Sequence, residues 1–304
     1  MRVGHATSQW ISLLALSILG VLPHAVFAQG TSGPVVTDSK VGYIDSAIPG
    51  NVFRIRYDTT YNNRQPSRAE LFYAQGQPNG PGLPFPEPRV DYQDFMAYAE
   101  AGILPQFSIF LELPARFLNP EVNANASGFA DLNAGFKYAF VESDTGLLSF
   151  QFRTYVPSGD ATRGLGNNHV SLEPALLYYQ SLSDRAAIEG EFRYWLPIGG
   201  TDFAGQILRY GIGGHYALVN NDSWRLGPVV EFVGWTVLNG KESTVQPSGV
   251  PLVRDASGQT IVNAKIGMRL GLGNRVDLYG GWGRPLTGDR WYENTFRFEM
   301  RVLY

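Results

Sequence analysis

A chain of 304 residues, 44% hydrophobic and 13% aromatic, holds enough apolar material for one large β domain or two ordinary ones. Its net charge of −3 comes from interspersed acids and bases, so there is no basic stripe for nucleic acid and no acidic tail of the disordered kind. Cysteine is absent, which excludes disulfide frameworks, thiolate zinc sites and cysteine nucleophiles; a closed sheet without free edges is another source of rigidity.

At the start of the chain, Arg2 and His5 precede an apolar run from Ile11 to Leu22, and Val26-Phe27-Ala28 offers a cut before Gln29. This is the pattern of a cleaved secretory signal peptide over residues 1–28. The run is shorter than the ~20 residues a spanning helix needs. No later segment is long and apolar enough, so a membrane crossing would fall to strands. Residues 29–50 carry Gly33-Pro34 and Pro49-Gly50 with little periodicity. They read as an N-terminal periplasmic tail, with a peptide tucked into a barrel lumen as the alternative.

From Asn51 onward the hydrophobic pattern has period two, in runs of about ten residues, which predicts strands. Leu132, Ala134, Phe136, Tyr138 and Phe140 alternate with Asp131, Asn133, Gly135, Lys137 and Ala139, and one face is wholly apolar. The same reading gives strands near 51–61, 93–103, 107–114, 129–141, 147–156, 169–180, 185–196, 207–219, 223–238, 260–272, 275–284 and 292–304. The last strand ends on an aromatic carboxyl-terminal residue, Tyr304, as the final strand of outer-membrane barrels commonly does. The predicted fold is all-β: a transmembrane antiparallel up-and-down β-barrel of about 12 strands over residues 51–304.

The connections support this. Tight turns at Leu104-Pro105-Gln106, Glu142–Gly146, Ser181–Asp184, Asn220–Asp222 and Gly273-Asn274 alternate with longer loops, including the proline-rich 62–92 segment. The apolar faces carry no charge. The opposite, lumen-lining faces carry Arg54, Arg56, Glu100, Glu112, Asp131, Lys137, Arg153, Glu173, Glu189, Glu191, Arg193, Arg209, Arg225, Glu231, Lys265, Arg269, Asp277, Arg297, Glu299 and Arg301. These charges are nearly balanced, which predicts cross-strand ion pairs and no one-sided selectivity ring. Tyr57, Tyr61, Tyr178, Tyr194, Trp224 and Trp282 fall near strand ends, where an aromatic girdle sits.

Little else points to chemistry. His169 and Ser171 share a strand face in a His-x-Ser pair that some outer-membrane lipid hydrolases use, but the register turns both inward. Gly159 to Gly164 has the glycine spacing of a phosphate loop, yet Leu165-Gly166 stands where Lys and Ser/Thr belong, so it reads as a loop with turn residues. Glycines around Trp282 suggest curvature or room for a neighbouring aromatic. No metal or cofactor site is predicted.

Gly128-Phe129-Ala130-Asp131-Leu132-Asn133-Ala134-Gly135-Phe136-Lys137-Tyr138, followed by Pro157-Ser158-Gly159-Asp160 and Leu165-Gly166, resembles the outer-membrane family named for the meta-pathway of phenol degradation. The likeness centres on residues 128–200, with Ser158 where the family more often has threonine. The resemblance implies a bacterial outer-membrane barrel with a role in moving hydrophobic or aromatic compounds. It implies no binding or catalytic residue, because the motif looks structural. The sequence expectation is therefore a channel or transporter for small molecules in the bacterial outer membrane, not an enzyme. Its partners would be outer-membrane lipid, the barrel-assembly machinery through the last strand, and an unidentified solute, with no nucleic acid. The alternatives are a lumen-closed structural or adhesive barrel and, last, a lipid hydrolase.

Overall fold

The computed structural model describes residues 38–64, 82–85, 87–245, 251–288 and 290–304. The predicted signal peptide and residues 29–37 of the predicted tail lie outside the described residues, as do Pro78, Pro81 and Pro86 of the first loop.

The barrel strands in chain order are β1 (Val52–Asn63), β2 (Val90–Leu104), β3 (Phe107–Pro120), β4 (Ala126–Phe129), β5 (Leu132–Glu142), β6 (Gly146–Val156), β7 (Val170–Ser183), β8 (Ala186–Ile198), β9 (Ile207–Tyr216), β10 (Val219–Asn220) and β11 (Trp224–Val237). A separate hairpin, β12 (Lys241–Val245) and β13 (Pro251–Asp255), stands in the connection read from sequence as one of the longer loops, Asn239 to Gln259. The barrel resumes with β14 (Thr260–Leu272), β15 (Val276–Pro285) and β16 (Asn294–Leu303).

Every barrel pairing is antiparallel between neighbours, and the β9–β11 and β1–β16 pairings complete the ring. Fourteen segments make up the sheet; β4 continues β5 and β10 continues β9, which leaves twelve staves in a closed all-β barrel. At the seam, Val52↔Leu303 through Tyr61↔Asn294 are in register. Beyond them the Tyr304 amide donates to the Asn51 carbonyl at 3.2 Å.

Two staves depart from regular alternation. Glu112 faces Asn133 but Ala115 faces Phe129, so one extra residue has entered the β4–β5 stave at Ala130–Asp131. This is a β-bulge, and it corrects the continuous strand expected over 129–141. β3 also runs six residues past its expected end at 114, because β2 and β4 pair with the added length.

The two sheet faces are inverted relative to a soluble protein. Phe95, Ile109, Phe192, Phe232, Ile266 and Phe298 point outward and are exposed, whereas the largest fully buried side chains include Arg193, Lys137, Glu173, Glu189 and Glu231. The predicted girdle residues are on the outside or partly covered, with Tyr61, Tyr178 and Trp224 exposed. Among the described residues, no helix is long and apolar enough to cross a membrane.

The main correction concerns the predicted tail. Residues 38–50 do not hang below the barrel; they fill its lumen. The chain enters from the rim of short turns, where the Gly50 amide donates to Glu100 at 3.2 Å. It rises into the lumen as a plug and turns back, with Asp38 reaching Arg301 at 2.6 Å near the same rim. Val41, Tyr43 and Ile44 pack with Val229, Val233, Ile261 and Tyr279 in one apolar cluster, and Ala47 packs with Ala175, Leu177, Tyr179 and Ala187 in another. The segment is short of apolar residues for an independent core, but most of its anchorage is polar and supplied by the wall.

Candidate functional site

The wall of the barrel treats the plug backbone as a ligand. Glu231, fully buried on β11, accepts from three successive amides: Gly42 at 3.2 Å, Tyr43 at 2.8 Å and Ile44 at 3.0 Å. Successive N–H groups converging on one carboxylate form an anion-binding nest. Arginines hold the carbonyls on the same stretch: Arg209 donates to Tyr43 at 2.6 Å, Arg297 to Gly42 at 2.7 Å, and Arg269 to Lys40 at 3.0 Å and to Val41. The Tyr43 ring is sandwiched by cations, with Lys265 Nζ 3.6 Å and the Arg297 guanidinium 4.0 Å from its centroid.

Lower on the plug, Asp45 pairs with both Arg153 and Arg193 at 2.7 Å. Arg193 also contacts Glu173 at 2.5 Å and Glu191 at 2.7 Å, and Arg209 reaches Glu191 at 2.7 Å. Lys137 bridges Glu100 at 3.1 Å and the Ile48 carbonyl at 3.0 Å, while Glu189 accepts from the Lys40 amide. Arg301 holds Asp38, the Ser39 carbonyl at 2.7 Å and Asp277 at 3.1 Å; Asp277 also takes Arg269, which lies 3.3 Å from Glu299.

Arg54 and Arg56 are looser, at 3.6–3.9 Å from Glu112 and Glu299, with Arg54 resting 4.1 Å above the Tyr98 ring. Arg225 is the one cation of the sequence-predicted inner-face set that joins neither the plug nor an ion pair among the described residues.

Three inner-face groups escaped the sequence reading. Arg297 makes a two-pronged pair with Asp58, 2.7 Å on each arm, and Arg116 makes another with Asp94 at 2.7 and 2.6 Å. Arg116 lies beyond the expected end of its strand. Asp58 and Asp94 occupy inner positions of predicted strands and were legible from the alternation alone.

Two cavities flank the plug. The larger, about 220 Å³, lies toward the long loops with Tyr43 in its lining. Aromatic rings from Tyr92, Tyr155, Trp195, Trp235, Trp291 and Tyr292 surround it, interleaved with the paired arginines. The smaller, about 160 Å³, lies toward the short turns with Lys40 in its lining.

Glycine opens the space for both plug and aromatics. A Cβ on Gly213 would stand 3.1 Å from Val41, and one on Gly42 would stand 2.2 Å from the Tyr279 ring. Gly267 and Gly281 likewise leave the wall free for Tyr279, which bears out the expectation that the glycines beside Trp282 make room for an aromatic.

Asp131 has a more local task. The bulge turns its carboxylate to accept from the Gly159 amide at 3.1 Å and the Asn167 amide at 3.0 Å. Ser158 completes the clamp: its hydroxyl donates to the Ala130 carbonyl at 3.1 Å and accepts from the Leu132 amide at 2.9 Å. Within the clamped loop, Asp160 caps a 3₁₀ turn over Ala161–Arg163, and Gly164 leaves it at φ 74°. A Cβ on Gly166 would meet Asp131 Oδ1 at 2.4 Å, so the glycine is required there. The loop thus serves architecture, with a threonine hydroxyl able to replace that of Ser158.

Asp131→Ala strands two amides and should cost about 2 kcal/mol. Faster protease cleavage within 157–168 in the refolded variant is the expected result, and unchanged cleavage would refute the clamp.

His169 and Ser171 are both buried. The imidazole Nδ1 lies 2.9 Å from the Asn167 carbonyl, and a Cβ on Gly200 would stand 3.0 Å from the ring. The ring is packed beneath the loop that follows β8.

A closed antiparallel twelve-stranded barrel with a polar, plugged interior is the class of fold that these observations define. The chain belongs to the family described as "Putative MetA-pathway of phenol degradation", which it matches over residues 92–300. Among solved structures it resembles the COG4313 outer membrane channel from Pseudomonas putida F1, at 14% identity and a TM-score of 0.53, with 90% of this chain and 100% of that chain covered. It also resembles the β domain of the Bordetella autotransporter BrkA, at 11% identity and a TM-score of 0.50, covering 84% of this chain and 100% of that one. Likeness at these identities establishes the shared barrel. No curated protein matches the chain in sequence.

Proposed function

We propose that this protein is a channel or transporter of the bacterial outer membrane, and that the conformation described here is its plugged state. The observation that carries this reading is the combination of an apolar outer face, a charged inner face and a short peptide held between two lumenal cavities. An outward belt of Phe, Ile, Leu and Val with charges turned inside is stable in lipid and costly in water. The family description and the P. putida channel support the same direction. Small, hydrophobic or aromatic solutes fit the aromatic lining of the loop-side cavity, whose arginines are neutralised by Asp58, Asp94 and Asp45. The reading requires no catalysis and no cofactor, and it assigns His169 to holding its loop.

The membrane part is tested on the outer face. Ile266→Arg should lower the stability of the bilayer-folded protein by ~2–4 kcal/mol, because the guanidinium faces hydrocarbon. Urea titration of tryptophan fluorescence in vesicles reads this, and a variant as stable as the parent would place the protein outside the bilayer. The channel part is tested by planar-bilayer conductance with and without the plug. A permanently silent barrel in both forms would favour the lumen-closed structural role instead.

A further inference from the structure

We propose that the turn-side cavity is a binding site for a small oxyanion, held jointly by the Lys40 ammonium of the plug and the Arg225 guanidinium of β11. Both side chains line this cavity of about 160 Å³. Among the described residues neither has a carboxylate or hydrogen-bonding partner for its charged group, in a lumen where almost every other cation is paired.

Both are positioned rather than loose. The Lys40 backbone is fixed at each end of its peptide unit, by Glu189 at the amide and Arg269 at the carbonyl. Arg225 lies along Gly271, its partner in the β11–β14 register, where a Cβ would stand 3.4 Å from Nε. The carboxylates nearby cannot answer them. Asp277 is already shared by Arg269 and Arg301, and Asp184 stands at the exposed rim. Burial, then Arg225 and Arg301, push the Lys40 ammonium down to about 8, against the opposing pull of Asp277 and Asp38, so it is short of negative charge but still protonated at pH 7.

An oxyanion between the two cations accepts charge-assisted hydrogen bonds from both and relieves their mutual repulsion. One ligand belongs to the plug and the other to the wall, so anion binding also fastens the plug. By linkage, a seated plug binds the anion more tightly and a bound anion holds the plug more firmly.

The test uses the mature chain refolded in detergent at pH 7, with inorganic phosphate titrated against chloride at constant ionic strength. Calorimetry should show saturable binding at one site, weakened about tenfold or more in Lys40→Met and in Arg225→Met. It should be largely retained in Arg225→Lys, and in Arg275→Met at an exposed turn outside the cavity. Hydrogen exchange of the Lys40 to Ile44 amides should slow with phosphate in the parent and not in Lys40→Met or Arg225→Met. Absence of saturable binding in the parent, or binding that survives both methionine substitutions, would overturn the proposal. The readout is binding, so it stands or falls separately from the channel reading.

Discussion

A chain beginning at Pro49, refolded into a planar bilayer, should conduct about an order of magnitude more current than the full mature chain, and its open state should favour anions. The first half follows from where the plug lies. Residues 38–48 stand between the loop-side and turn-side cavities, with Tyr43 lining one and Lys40 the other, so their removal joins the two. The second half follows from what the plug supplies. It brings Asp38 and Asp45, which answer Arg301, Arg153 and Arg193, and its carbonyls satisfy Arg209, Arg269 and Arg297. Without it these guanidinium groups face an open aqueous lumen, and the reversal potential in a salt gradient should move toward the anion value. The wall itself should persist, because its hydrogen bonds run from strand to strand around a closed ring. A truncated barrel that folds but conducts no better than the parent would show that the plug is not the barrier. Conductance with a cation preference would refute the electrostatic half alone.

The staves were legible in the sequence because their physical cause is local: alternate side chains face lipid-like and polar surroundings, so a period of two is written directly into each run. Arg153, Glu173 and Arg193, for example, fall on inner positions of three neighbouring strands and meet inside. The bulge at Ala130–Asp131 was hidden because the apolar alternation continues in sequence while the pairing slips by one residue. The extended end of β3 was hidden because Pro114 reads as a stop, although the strand continues through it.

The plug stood only as the alternative to a periplasmic tail for a different reason. Its stability is borrowed from wall residues fifty to more than two hundred and fifty positions away, and residues 38–50 have neither periodicity nor an apolar face of their own. A faint signal existed on the wall. Gly211, Gly213 and Gly267 occupy inner positions where a barrel filled by its own side chains has no use for glycine, and Glu231 faces Lys265 on one neighbouring strand but only the bare Gly213 on the other. Such gaps on an inner face indicate a guest.

Glu231 is where that guest is most vulnerable. In Glu231→Ala the Gly42, Tyr43 and Ile44 amides lose their common acceptor together, in a place with no other carboxylate among the groups that bond them. An unsatisfied buried donor costs about 1–3 kcal/mol. Water entering from the adjoining cavity recovers part of this for three donors, which leaves a net loss of about 3 kcal/mol for the seated plug. That corresponds to roughly a hundredfold rise in the unseated population, since 1.4 kcal/mol is a factor of ten. Brief openings should therefore become about a hundredfold more frequent in single-channel records, and exchange at those three amides should accelerate in step. Glu231→Gln should fall between, because one carboxamide oxygen still accepts while its amino group opposes the remaining N–H. The pairing of β11 with β9 and β14 involves backbone alone, so far-UV circular dichroism should be unchanged in both variants. Openings at the parental rate in Glu231→Ala would mean that the arginine-held carbonyls alone keep the plug in place, and that the nest is not its latch.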